Sequence, residues 1–438
     1  MMKRSIYKDL LIWKESTERK PLLLQGARQV GKTYLMREFG KNEYANAVYI
    51  NFEEKKTVSS FFDDDIDPAH IIKSLEAHYY TSINPSDTLI IFDEIQESSR
   101  ALNSLKYFNE NAPQYHIIAA GSFLGVAMHG SFPVGKVDRI TLYPLSFFEF
   151  LEGTGNEQYL EYLKKKNFDL IRIMAKDYEK LLKTYFIVGG MPKAVSVYAE
   201  RKDILEVRAI QKTILEDYKD DFSKHITAVN TPKVKIIWDS VPFHLSKEKK
   251  KFVYKDIKTG ARAYAYEDAM NWLFNTRLVY KVSRVTDNKL PLSIHADDRQ
   301  AFKLYMLDVG LFAAKAEVDL TAIFEGSSAI FANFNGALTE QFVLQELITA
   351  GFTPYYWGRE KGAAEVDFII QWKNEVVPVE VKTSIRKKSK SLNVYRDLYQ
   401  PAHIVRTTLN NYGKYEELLS LPLYMIGCIG ELLAASAQ

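Results

Sequence analysis

The stretch from residue 21 to 39 constrains this chain more than any other: PLLLQ, then GARQVGKT (26–33), then YLMREF. An apolar run that breaks on glycine and restarts as a helix at Gly-Lys-Thr satisfies G-x-x-x-x-G-K-[S/T] in the context that pattern needs. Gly26 and Gly31 permit the tight turn, and the backbone of Ala27, Arg28, Gln29 and Val30 between them supplies N–H groups to a phosphate cradle at a helix N-terminus. Lys32 then reaches the terminal phosphates and the Thr33 hydroxyl meets Mg²⁺, so the expected ligands are ATP and Mg²⁺. A glycine-rich turn without chemistry is the alternative; the order of residues and both flanking elements argue against it.

Around this loop the sequence alternates. Apolar runs at 21–26, 47–52, 88–92 and 116–122 are separated by helix-length segments at 32–39, 68–80 and 100–111. That alternation predicts a parallel sheet with helices on both faces. The run TLIIFDEIQ ends in acid: Asp93 is placed to hold Mg²⁺ through its water shell and Glu94 to orient and polarise an attacking water. HIIAAGS ends in Ser122, at the tip of a neighbouring strand, where it can sense the terminal phosphate or simply cap a helix.

Composition narrows the setting. At 438 residues the chain holds two to four domains, and a net charge of +3 announces no global field for nucleic acid. One cysteine, Cys428, excludes an internal disulfide framework, and the histidines show no metal-ligand spacing. Lys8 and Asp9 interrupt any signal-peptide core, and the apolar stretch 421–437 is too short and broken to span a bilayer. It reads as a buried strand and a terminal helix, and the expected compartment is the cytoplasm, with no membrane partner.

Four regions are expected: the ATPase domain over 1–152, a helical region over 153–228, a winged-helix-like domain over 229–315 and a nuclease-like domain over 316–438. In the third, helices at 234–243 and 266–274 and the strand RLVYKVSRV suggest a wing that docks on DNA or on a protein. In the fourth, EVDFIIQW and EVVPVEVK flank Lys373-Asn374 as a hairpin. Asp367 falls on one strand, and Glu380 and Lys382, two apart, share a face of the other, so two carboxylates can bind Mg²⁺ while the ammonium positions water. A basic run follows at Arg386-Lys387-Lys388 with Lys390.

GARQVGKT, FDEIQ, the AGS strand end, YPLSFFEF (143–150), YFIVGGMPKAV (185–195) and KLYMLDVGLF (303–312) together resemble a group of prokaryotic AAA-type ATPases that carry a C-terminal domain of unknown function. The resemblance spans nearly the whole chain. It implies a P-loop NTPase parallel sheet, a helical and winged-helix-like middle, and a restriction-endonuclease-like α/β C-terminal domain. The hairpin is similar to the D…E-x-K core of that last fold, whose helical acid corresponds to Glu340 and would join Asp367 and Glu380 at the metal. Where the family carries Gly-Arg before PLSF, this chain has Gly135-Lys136 with Arg139 three residues later; Arg139 and Arg28 are the candidates for an arginine finger. The implied function is Mg²⁺-dependent ATP hydrolysis that regulates action on nucleic acid by the C-terminal domain. An ATP-driven protein switch or scaffold with an inactive nuclease-like domain is the alternative, and a homo-oligomer with shared sites is a third.

Overall fold

The apolar runs of the first region become the strands of one sheet. In a computed structural model, which describes residues 2–54, 56–122, 133–319, 329–359, 363–382 and 390–436, β1 (Leu22–Gln25), β2 (Asn46–Asn51), β3 (Thr88–Asp93), β4 (His116–Ala120) and β5 (Asp138–Thr141) pair in the order β2-β3-β4-β1-β5. Every pairing is parallel. β3 and β4 are buried along their whole length, which is why their sequences read as unbroken apolar runs rather than alternating ones. Ile90, Phe92 and Ile117 pack with Phe62, Ile71, Leu75 and Leu105 from the helices on that face. Each such side chain contributes about 1.5–3 kcal/mol by leaving water.

Helices form at Lys32–Glu43, Pro68–Tyr79 and Ser99–Asn111, as the spacing predicts. The second starts on Asp67, whose carboxylate accepts the Ala69 N–H, with Pro68 in the first turn; the third starts on Ser98, whose hydroxyl accepts the Ala101 N–H. β5 was not expected. Its four residues, Asp-Arg-Ile-Thr, are largely half-buried and carry no apolar run. This unit comprises Lys3–Tyr143 and a later return of the chain, Asn275–Leu278.

The other unit contains Pro144–Phe274 and Val279–Gln438. It opens with helices from Phe147–Gly153 to Ile204–His225, broken at the expected 189–191 turn. The first of them carries a full capping box, Ser146 and Glu149 each bonding the other's backbone N–H. Helices Thr231–Ser246 and Glu267–Asn275 and strand β6 (Val279–Val285) follow in the order expected of a winged helix.

The strand, however, does not form a separate wing. β6 pairs antiparallel with β7 (Ala296–Met306) and parallel with β8 (Tyr355–Gly358). With β9 (Glu365–Trp372), β10 (Glu375–Val381), β11 (Ile404–Thr408), β12 (Gly413–Tyr415) and β13 (Leu418–Pro422) they make one eight-stranded sheet, β12-β13-β11-β10-β9-β8-β6-β7. A boundary at 315/316 therefore falls between strands of a continuous sheet. The alternation in VYKVSRV marks a strand but carries no information about which strand lies beside it. The long helix Ala329–Thr349 and the terminal helix Ile429–Ser436 belong to this unit as well. Cys428 is buried, and burial pushes its thiol up to about 12. Among the described residues no helix is long and apolar enough to cross a membrane.

Candidate functional site

Parallel pairing brings the ends of β1, β4 and β3 to one edge of the first sheet, so the segments that follow them meet there. After β1, Gly26 adopts φ 153° and an added Cβ would stand 2.4 Å from the Leu142 carbonyl oxygen; Gly31, at φ 97°, opens the helix Lys32–Glu43. Only glycine fits the first position without moving backbone. Arg4 braces the loop from outside, donating to the Val30 carbonyl at 3.1 Å and the Tyr143 carbonyl at 2.6 Å.

Lys32 is 6% exposed and its Nζ donates to the carbonyls of Gly26 (2.9 Å) and Ala27 (2.8 Å) and to Ser122 Oγ (3.0 Å). Burial lowers its ammonium to about 8, against the opposing pull of Glu94 and Asp93. The sequence thus named the two side chains that meet here, Lys32 and Ser122, from segments 90 residues apart. Thr33 Oγ1 donates to Asp93 Oδ2 at 2.6 Å, and the Tyr49 hydroxyl donates to the same oxygen at 2.8 Å. Thr33 and Asp93 are the residues that could hold Mg²⁺: a hydroxyl and a carboxylate oxygen already in contact beside the phosphate loop are the hard donors that ion takes. Glu94 sits in a left-handed turn at φ 50°, and its Oε2 accepts from Gln96 Nε2 at 2.7 Å. Arg277, on the returning segment, donates to Gln25 Oε1 at 3.1 Å, immediately before Gly26.

In the other unit the four predicted residues also come together. β9 and β10 form the expected antiparallel hairpin, turning at Lys373 with φ 50°. Asp367 Oδ2 accepts the Val381 N–H at 2.8 Å, and Lys382 Nζ lies 2.5 Å from Glu380 Oε1. Glu340, on the helix Ala329–Thr349, is 5% exposed and is coupled electrostatically to Asp367. Burial first, then the charges of Glu340 and Glu380, push the Asp367 carboxyl well above the usual carboxylate range.

Two lysines that were not anticipated complete the cluster. Lys250 pairs with Glu340 Oε1, and Lys303 Nζ lies 2.6 Å from Glu365 Oε1 and 3.9 Å from Glu340 Oε2. Burial alone would raise Glu340, but Lys250 and Lys303 outweigh it and hold the carboxylate below its ordinary range. The Tyr305 hydroxyl donates to Glu340 Oε2 at 3.1 Å. Among the described residues no three His, Cys, Asp or Glu side chains are arranged to hold a metal ion. In this arrangement the carboxylates face ammonium groups, and the expected metal set Glu340, Asp367 and Glu380 does not fit a metal. The basic run 386–388 lies outside the described residues, and Lys390 opens the helix Lys390–Tyr399.

Residues 18–151 match the AAA domain. Residues 179–321 match a domain of unknown function (DUF8612), and residues 335–424 match another (DUF4143). No curated protein sequence matches the chain. Among solved structures, the Walker-type ATPase of Pyrococcus abyssi is similar at 14% identity and a TM-score of 0.45, over 72% of this chain and 96% of that one. The Thermotoga maritima RuvB Holliday junction branch migration motor aligns at 13% identity and a TM-score of 0.31, over 63% and 88% of the two chains. AMPPCP-bound DnaA from Aquifex aeolicus aligns at 14% and 0.25, over 62% and 87%. Likenesses of that size say nothing about activity. The loop, the acid pair, the parallel sheet and the AAA match agree on a P-loop ATPase-like domain in the first unit.

Within the AAA domain, sequence reasoning missed Tyr49 and Gln96. Each hydrogen-bonds to one residue of the acid pair. Gln96 carried a signal, since FDEIQ places an amide two residues after Glu94. Tyr49 carried none: it lies in the middle of AVYINF, where an aromatic reads as packing.

Proposed function

We propose that this chain binds ATP with Mg²⁺ and hydrolyses it, and that its nucleotide cycle governs what the nuclease-like second unit does to nucleic acid. The observation that carries the first part is the meeting of Lys32, Thr33, Asp93 and Ser122 at one sheet edge. Lys32 exchanges loop carbonyls for phosphate oxygens when a triphosphate enters, and Ser122 contacts the terminal phosphate from the β4 side. Thr33 and Asp93 hold Mg²⁺, which when bound neutralises the charge on the phosphate oxygens. Glu94 orients the attacking water and takes its proton, with Gln96 fixing the rotamer from which it does so. Arg28 and Arg139 remain the proposed arginine fingers, the latter on β5.

For the second unit, the convergence of Glu340, Asp367, Glu380 and Lys382 supports a nuclease-like site. The lysines that neutralise it favour the other reading, a protein switch or scaffold in which no phosphodiester is cut. A cleavage assay over mixed DNA and RNA with Mg²⁺ or Mn²⁺, with and without ATP, separates the two. The nuclease reading expects cleavage that Asp367→Ala and Glu380→Ala abolish while ATP turnover is kept. No cleavage by wild type, with partner-protein binding insensitive to salt, establishes the scaffold.

A further inference from the structure

Lys250 lies in a segment without helix or strand, between the helices Thr231–Ser246 and Tyr254–Ile257. Its neighbours Glu248 and Lys249 are exposed, as a lysine-rich turn should be, yet its own side chain is only 15% exposed. The ammonium pairs with Glu340 and passes Gly336, where an added Cβ would stand 3.9 Å from Nζ. Gly336 and Glu340 are one turn apart on the same helix, so Lys250 covers the face that carries the acid.

Formal charge shows what this contact does. Glu340, Glu365, Asp367 and Glu380 give −4, and Lys250, Lys303 and Lys382 give +3, leaving −1. Lys303 projects from the interior of β7 and is 1% exposed, and Lys382 follows the end of β10; neither can leave without opening the sheet. Lys250 can leave with its turn. Its departure brings the cluster to −2, the complement of a divalent cation, whereas a divalent cation added beside Lys250 would bring it to +1 in a site of low dielectric.

We infer that the Lys250 ammonium is the exchangeable cation of this cluster and keeps it closed to divalent metals, so that Lys250 and a metal exclude one another. The inference rests on the nuclease-like reading in one respect, that the carboxylates take a metal once Lys250 withdraws. It accounts for carboxylates that converge as that reading requires and yet are not arranged for an ion.

The test is Mn²⁺ titration of the full-length, nucleotide-free protein, followed by electron paramagnetic resonance. Lys250→Met should bind one Mn²⁺ at least tenfold more tightly than wild type, Lys250→Arg should bind as weakly as wild type, and adding Glu380→Gln to Lys250→Met should remove the gain. In wild type, saturating Mn²⁺ should raise reductive methylation of Lys250, read by mass spectrometry, while Lys303 stays inert. Equal affinity in wild type and Lys250→Met, with no change in Lys250 labelling, overturns the exclusion and leaves the metal site standing. No Mn²⁺ at these carboxylates in any variant overturns both, and the cluster is then an ion-pair lock.

Discussion

Each unit buries a lysine almost completely, Lys32 in the first at 6% exposure and Lys303 in the second at 1%. Lys32 is given dipoles: two carbonyls and a hydroxyl. Burial lowers its ammonium to about 8, and nothing around it cancels that cost. Lys303 suffers the same burial, but Glu365, Glu340 and Asp367 outweigh it and raise the ammonium above its ordinary value. The difference separates a cation poised for an incoming anion from one already neutralised by the fold. Deleting the first should cost ligand, and deleting the second should cost structure.

That contrast can be broken by treating the two lysines alike. Lys303→Met strands Glu340 and Glu365 without a buried partner and should destabilise the second unit by about 3–5 kcal/mol, read in urea unfolding, with ATP binding kept by folded protein at low temperature. Lys32→Ala should weaken ATP binding by about 100-fold or more in calorimetry, since charge-assisted bonds to phosphate are lost, and leave the unfolding midpoint near wild type. An unfolded Lys32→Ala would erase the distinction.

Smaller effects sharpen it. Glu94→Gln should keep ATP affinity and lose turnover by about 100-fold, the contribution expected of a positioned base. Gln96→Ala should lose about tenfold or less, because the glutamate keeps its chemistry and loses only its rotamer restraint. The smallest expected signal is a proton. In the free loop Lys32 becomes neutral as pH rises through about 8, and bound phosphates favour its ammonium form. ATP binding at pH 8.5 should therefore take up most of a proton, about 0.1 at pH 7, and affinity should fall as pH rises above 8. Calorimetry in buffers of different ionisation enthalpy measures this; uptake that does not change with pH would exclude Lys32 as its source.

The phosphate loop was legible because its chemistry is local: eight consecutive residues supply the turn, the backbone donors and the lysine. Asp93 and Glu94 were legible for the same reason, as acids that end an apolar strand. The hairpin that carries Asp367, Glu380 and Lys382 was readable from period-two alternation. What could not be read was contributed from a distance. Lys303 stands inside KLYMLDVGLF, where a lysine in a strand looks like a solvent-facing position, and only the fold buries it against Glu365. Lys250 belongs to SKEKKK, a run whose composition says solvated turn. The pairing of β6 with β8 joins segments about 70 residues apart, and no local pattern encodes it.

That pairing has a bearing on how the chain can be divided and made. β6 and β7 leave the ribosome before β8 and can close only as a hairpin, with the β6 edge that later meets β8 unpaired. An exposed edge of this kind recruits whatever extended chain is nearest. A fragment ending near residue 315 would carry that edge permanently, and one beginning near 316 would expose the matching edge of β8. Each half is therefore an aggregation risk, and the two mixed together have a template for rejoining.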